Sequence, residues 1–209
     1  MKIYKFILVI NLSLLFSNNS HILTKMIDSM NWNFRYTTED KIKVFRLDNE
    51  SFPVIKIYKD VDSSMKDKIF NTIRDIDNYH LIISNKKIST QNLTTESTSD
   101  TLYVYQSITN MIPFVKNRHI IFKMYMSSKN RLNWELVNEN SSKFDRFRTD
   151  SYKILDEGAG SWEIINEKLY HFYYMNPKIR VPQFIINKIA ENSVLDVFND
   201  ILYHAEKIK

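Results

Sequence analysis

Side chains able to do acid–base or ligand chemistry are few in this chain and are not assembled along it. His119, in RHIIFKMYM, and His171, in KLYHFYYM, fall on separate apolar runs with no metal-ligand spacing between them. Satisfied or surface histidines fit that placement better than ligands do. Asp75 with Asp77, or Asp145 with Asp150, are near enough in sequence to act as carboxylate pairs, but solvated turns account for them first. The chain has no cysteine, which removes thiolate catalysis, disulfides and Cys-bearing zinc sites. Its two glycines, Gly158 and Gly160, cannot build a phosphate loop or a dinucleotide fingerprint. Arg118 could hold a carboxylate or headgroup through two parallel N–H bonds; an ordinary structural pairing at a strand start is an equal reading. Met124 and Met126 beside Phe122 suit a wall around irregular apolar contents, and ordinary core would use them in the same way.

The elements that must position these residues read mainly as strands over residues 41–175. In RHIIFKMYM, alternation places Ile120, Phe122, Met124 and Met126 on one face, with Ile121, Lys123 and Tyr125 on the other. Leu132, Trp134 and Leu136 share a face, as do Leu102, Val104 and Ile108. Two strands, IKVFRL and PVIKIYKDV, come earlier. SSMKDKIFNTIRDIDNYHLII then gives a helix with Met65, Ile69, Ile73 and Ile76 on one stripe, and a second short helical piece after the turn at Asp77 and Asn78. SYKILDE and the pair GSWEIINE and KLYHFYYMNP complete the strands. Asp156, Glu157, Gly158, Ala159 and Gly160 read as a simple hairpin connection, or as a mobile turn that gates a cavity. A short helix is expected over residues 21–34, leading to Trp32.

Residues 181–209 form the longest element. Pro182 sits where a first helical turn tolerates a missing N–H, and no Gly or Pro follows. Ile185, Ile189, Leu195, Phe198, Ile201, Leu202, Ala205 and Ile208 recur at helical steps on one face. A rod of this length needs a large apolar surface to cover, and the strands before it supply one. The fold class is therefore α+β, with a long terminal helix closed over the inner face of a curved antiparallel sheet. Space enclosed in that way is a binding site.

Hydrophobic residues at 44% and aromatics at 13% give a folded domain, and 209 residues make one domain with a real core. Lys2 and Lys5, the apolar run FILVINLSLLF and the polar SNNS match a secretory leader over residues 1–20, followed by a domain over 21–209. Export, to the periplasm or beyond, is expected; an uncleaved membrane anchor is the rival. The formal charge of +5 falls to +3 without the two leader lysines. The remaining cations are scattered among acids, with no basic stripe to hold nucleic acid. A mildly basic surface suits brief contact with an anionic membrane.

Four stretches in order, IKVFR, KDVDSSMKDKIFNTIRDIDNYHLII, PFVKNRHIIFKMY and NPKIRVPQFIINKIAENSVLDVFNDI, resemble a START domain of the wider SRPBCC superfamily, over residues 31–209. Arg118 matches the arginine that opens the family's SRDFV…R strand. His119 and Ile120 replace the acid and aromatic that follow, and Met124 stands where many animal members carry a second basic residue. The resemblance implies a helix-grip fold with a tunnel for a lipid or other apolar molecule, and no cofactor. The implied lining is Leu102, Val104, Arg118, Ile120, Phe122, Met124, Met126, Trp134, Trp162, Phe172, Ile185, Ile189, Phe198 and Ile201. Binding, and transfer between membranes, is the function it implies. An enzyme in the style of polyketide cyclases, with His171 or wall tyrosines as acid–base groups, and a membrane-anchored interaction domain are the alternatives.

Overall fold

The structure, a computed structural model, describes residues 18–47, 53–94, 100–109 and 115–208. Lys2, Lys5 and the apolar run of the expected leader lie outside the described residues. The strands are β1 (Asn33–Thr37), β2 (Lys43–Leu47), β3 (Val54–Asp60), β4 (Ile88–Asn92), β5 (Thr101–Ile108), β6 (Asn117–Ser128), β7 (Arg131–Leu136), β8 (Tyr152–Leu155), β9 (Gly158–Ile165) and β10 (Lys168–Met175). The helices are α1 (Asn18–Asp28), α2 (Lys66–Arg74), α3 (Tyr79–Ile82) and α4 (Gln183–Lys207). All ten strands join one sheet, nine of them in the order β1-β2-β3-β10-β9-β7-β6-β5-β4 and the tenth, β8, paired with β6. Its pairs are antiparallel except β8, which runs parallel to the start of β6. With α4 held against the concave face, the architecture is the expected helix-grip fold.

Local chemistry sets the sheet's corners. Asn166 and Glu167 both adopt left-handed φ, 48° and 58°, as a two-residue hairpin turn requires, and β9 and β10 pair outward from them in unbroken register. Asp62 caps the helical entry to α2 by accepting from the Ser64 N–H at 2.8 Å. β1 was not foreseen, because NFRYT is exposed along its whole length and shows no alternation; it forms by backbone pairing to β2.

Alternation elsewhere does what the sequence predicts. Ile120, Phe122 and Met124 of β6, Leu132, Trp134 and Leu136 of β7, and Val104 of β5 point into the core, together with Ile55, Ile57, Trp162 and Leu169. α4 meets them with Val194, Phe198, Ile201, Leu202 and Ala205. Its first buried residue is Ile186, while Ile185 is only half-buried and the terminal Ile208 is exposed. Two adjacent isoleucines fit two helical stripes one residue, about 100°, apart, and contact with the sheet selects the second.

The two glycines are not a gate. Gly158 and Gly160 lie inside β9, and a Cβ on Gly160 would stand 2.5 Å from Cε2 and Nε1 of the Trp134 indole and against the Phe172 carbonyl. Gly160 leaves room for that ring to lie flat on the neighbouring strand.

On the convex side, α1 packs Leu23 and Met26 against Leu47, Val54, Ala159 and Tyr174. The helix begins at Asn18, three residues inside the segment assigned to the leader. Asn19 is buried and donates from Nδ2 to the Leu136 carbonyl at 2.9 Å and the Asp156 carbonyl at 2.8 Å, while its Oδ1 accepts from the Gly158 N–H at 2.9 Å.

Candidate ligand cavity

A cavity of about 210 Å³ lies between α4 and the concave face. Ile120, Phe122, Met124, Trp134, Leu155, Trp162, Tyr173 and Met175 supply the sheet side, and Ile186, Ile189, Ala190, Val194, Val197 and Ile201 the helix side. Tyr79, Ile83 and Ile88 close a third wall from α3 and the start of β4. The wall is apolar because β-alternation and one helical stripe aim their hydrophobic sides at each other.

Of the residues expected to line it, Arg118, Ile120, Phe122, Met124, Trp134, Trp162, Ile189 and Ile201 do so. Val104 and Phe198 are fully buried in the surrounding core without reaching the space, and Leu102 and Met126 pack half-buried at its edge. Ile185 is turned away, with Ile186 in its place. Phe172 is on the wrong face: it points to the convex side, 5.9 Å from the Trp32 ring, and its neighbours His171 and Tyr173 take the inward positions. In KLYHFYYM both faces of the strand are aromatic, so hydrophobicity alone could not choose between them. The polar residue was the better guide, because pairing register places His171 beside the inward-facing Trp162.

Three polar side chains on the wall differ in how they are satisfied. Arg118, 6% exposed, donates through Nε to the Pro177 carbonyl at 3.0 Å and through Nη1 to the carbonyls of Lys116 and Asn117. No carboxylate pairs with it among the described residues. It ties the start of β6 to the segment leading into α4, and burial lowers its pKa. His171, 4% exposed, stacks on Trp162 with ring centroids 3.8 Å apart, and its Nδ1 lies 3.2 Å from the Ser161 carbonyl. A carbonyl only accepts, so Nδ1 carries the proton and Nε2 presents a lone pair. Burial pushes the pKa of this imidazole down to about 3, against the smaller upward pull of the Ser161 carbonyl. Tyr173 lies two residues on, with its ring 6.4 Å from that of His171; burial raises its pKa. Neither His171 Nε2 nor the Tyr173 hydroxyl has a protein partner among the described residues.

The two polar ends of the cavity are far apart. Met126, Leu132, Trp162 and His171 fall in one row across β6, β7, β9 and β10. Arg118 lies eight residues further back along β6, roughly 26 Å at strand spacing. The Arg118 end is bordered by the exposed Lys116 and the half-buried Val115, Asn117, Pro177 and Ile179. At the His171 end the buried Trp162 ring and the half-buried Tyr173 form the wall.

Among the described residues no group of three or more His, Asp or Glu side chains could hold a metal ion. No helix among them is long and apolar enough to cross a membrane.

No family model and no curated protein matches this sequence. Solved structures do match. Human STARD10 is 14% identical over 88% of this chain and 77% of its own, with a TM-score of 0.66. The Xanthomonas axonopodis STAR-related lipid transfer protein (fragment 25–204) is 12% identical over 85% of this chain and 99% of its own, with a TM-score of 0.63. Human StAR-related lipid transfer protein 5 is 8% identical over 90% and 92%, with a TM-score of 0.62. Ten strands curved against a 25-residue terminal helix, matched across most of the chain in three such structures, give this protein the helix-grip fold seen in START-type structures.

Proposed function

We propose that the protein binds a lipid or similar apolar molecule, without changing it chemically, in the cavity between α4 and the concave face. The observation that carries this reading is the apolar space itself. Protein interiors are close-packed, so side chains lining an apolar space of this size lack the contacts a filled core would give them. A bound apolar molecule supplies those contacts. Two fold neighbours are described as lipid transfer proteins, and a ligand of that kind suits a wall of isoleucine, methionine and aromatic rings.

Transfer between membranes outside the cytoplasm extends the same proposal. A surface groove holds exposed Phe34 and Phe184 beside Arg35 and Lys188, an arrangement suited to brief contact with an anionic bilayer. Co-sedimentation with phosphatidylserine vesicles tests that contact, and fractionation of the host tests the location. The enzymatic alternative asks His171 to act as a general base, which is most effective with a pKa near the working pH. At about 3, its pKa is far from that poise.

Native mass spectrometry with lipid extraction, on protein purified gently from its own host, is the direct test. A stoichiometric co-purifying lipid is the expected result. A protein that arrives empty and takes up no lipid from vesicles overturns the proposal.

A further inference from the structure

The His171 end of the cavity carries a hydrogen-bonding pair that the fold does not use. His171 offers a lone pair at Nε2, because its Nδ1–H is committed to the Ser161 carbonyl. Tyr173, on the same face of β10 two residues later, offers a hydroxyl. Both side chains line the space, and neither of these groups has a protein partner among the described residues. They differ from the polar atoms sealed away without partners, His119 Nδ1, Asn133 Oδ1 and Ser161 Oγ, which no solvent-sized molecule reaches.

A buried acceptor left unmet is costly, and a ligand that supplies a donor recovers that cost. A hydrocarbon end supplies nothing. An ether or ester oxygen could accept from Tyr173 but gives nothing to Nε2. A carboxylate has no proton to give and would bury a negative charge where, among the described residues, no cation lines this end of the cavity. A neutral hydroxyl answers both groups, donating to His171 Nε2 while accepting from Tyr173.

We infer that the ligand is an alcohol: an apolar molecule whose buried end bears a neutral hydroxyl group held between His171 Nε2 and the Tyr173 hydroxyl. This rests on the reading of the cavity as a lipid site and narrows its contents. The depressed pKa of His171 agrees with it, since the imidazole stays a neutral acceptor throughout the physiological range. Trp162, stacked on the imidazole, holds the ring in place.

The test compares 1-decanol with 1-methoxydecane, which keeps the oxygen and loses the donor, and with decanoate. Binding is read from tryptophan fluorescence, because Trp134 and Trp162 line the cavity. The full chain should bind the alcohol about tenfold more tightly than the ether, the increment typical of one hydrogen bond to a buried group, with decanoate weakest at neutral pH. In His171→Phe the gap between alcohol and ether should close. A measurement on the unsubstituted protein guards against a variant that fails to fold: in ¹⁵N spectra of histidine-labelled protein, the His171 Nε2 resonance should move upfield with decanol and stay in place with the ether. Equal affinity for alcohol and ether, or an unmoved Nε2 with decanol bound, overturns the hydroxyl assignment and leaves the lipid reading standing. Failure of all three to bind overturns the lipid reading and this inference with it.

Discussion

The two faces of the sheet differ in where their unmet polar atoms lie: on the convex face Asn133 Oδ1 and Ser161 Oγ are sealed in without partners, while on the concave face the unmet groups line a cavity. On the convex face the buried charges are answered by the protein. Glu135 accepts from the Tyr125 hydroxyl at 2.5 Å and the Ser20 hydroxyl at 2.7 Å, with Lys123 Nζ 3.5 Å away. Glu163 pairs with Arg131 at 2.6 Å, and Asn19 satisfies three backbone groups at once. On the concave face Arg118 is spent on backbone carbonyls, while His171 Nε2 and the Tyr173 hydroxyl line the cavity with no protein partner among the described residues. The same β-strands supply both sides, so the contrast is not one of composition. Asn19 and Ser20 tie α1 to the sheet through these bonds; on the reading proposed above, the unmet concave pair is provision for a ligand.

That contrast can be broken from the convex side first. Asn19→Ala removes three hydrogen bonds and leaves the Gly158 N–H and the Leu136 and Asp156 carbonyls unmet. It should destabilise the protein by about 3 kcal/mol, lowering Tm by roughly 6–12 °C for a chain of this size. A thermal melt that moves by less than a degree would show that α1 does not depend on this clamp. On the concave side the largest loss should come from packing rather than polarity. Gly160→Ala drives a methyl group into the Trp134 indole and the Phe172 carbonyl and should cost about 2 kcal/mol. Denaturant unfolding reads that loss, and tryptophan fluorescence should show reduced binding as the indole is pushed toward the cavity.

How much of this was legible in the sequence follows the strength of each period. The alternation in RHIIFKMYM and RLNWEL marked Ile120, Phe122, Met124 and Trp134 as inward, because each apolar residue has a polar or smaller neighbour to set the phase. KLYHFYYM has no such phase, and there the inward-facing pair His171 and Tyr173 gave way to Phe172. The same ambiguity exchanged Ile185 for Ile186. Gly158 and Gly160 looked like a turn because glycine usually marks one; that an indole from β7 would lie against Gly160 depends on strand order, which no local pattern encodes. The start of α1 was hidden for a different reason. Its first residues follow an apolar run, and the bonds that commit Asn19 to the domain reach more than 110 residues along the chain.

Acid pH probes the concave side without a change of size. With a folded pKa of about 3 against an ordinary value of 6.5, His171 is deprotonated in the folded chain while the unfolded chain takes up a proton. Its contribution to stability is whole above about pH 6.5 and is lost as the pH falls toward 3, at up to about 1.4 kcal/mol per pH unit. Carboxylates add their own slope, so the informative quantity is the difference between the protein and His171→Phe in chemical denaturation between pH 6 and 4. The variant should show the shallower decline. Equal slopes would mean that the imidazole is reached by water and proton in the folded state.

The smallest effect makes the sharpest distinction between the faces. Tyr173→Phe removes a hydroxyl that bonds to no described protein group and keeps the ring that packs 5.8 Å from Trp134. A polar group serving the fold is missed when it goes, as Asn19 should be. A polar group held for a ligand is not missed until the ligand is present. The ligand-free variant should therefore unfold within about 0.5 kcal/mol of the parent, or slightly later, because an unmet buried hydroxyl has been removed. In the presence of 1-decanol the parent should gain more stability than the variant, since a ligand stabilises in proportion to the logarithm of its affinity. A ligand-free loss as large as that of Asn19→Ala would place Tyr173 among the residues that hold the protein together, and the two faces would then differ only in what they are packed against.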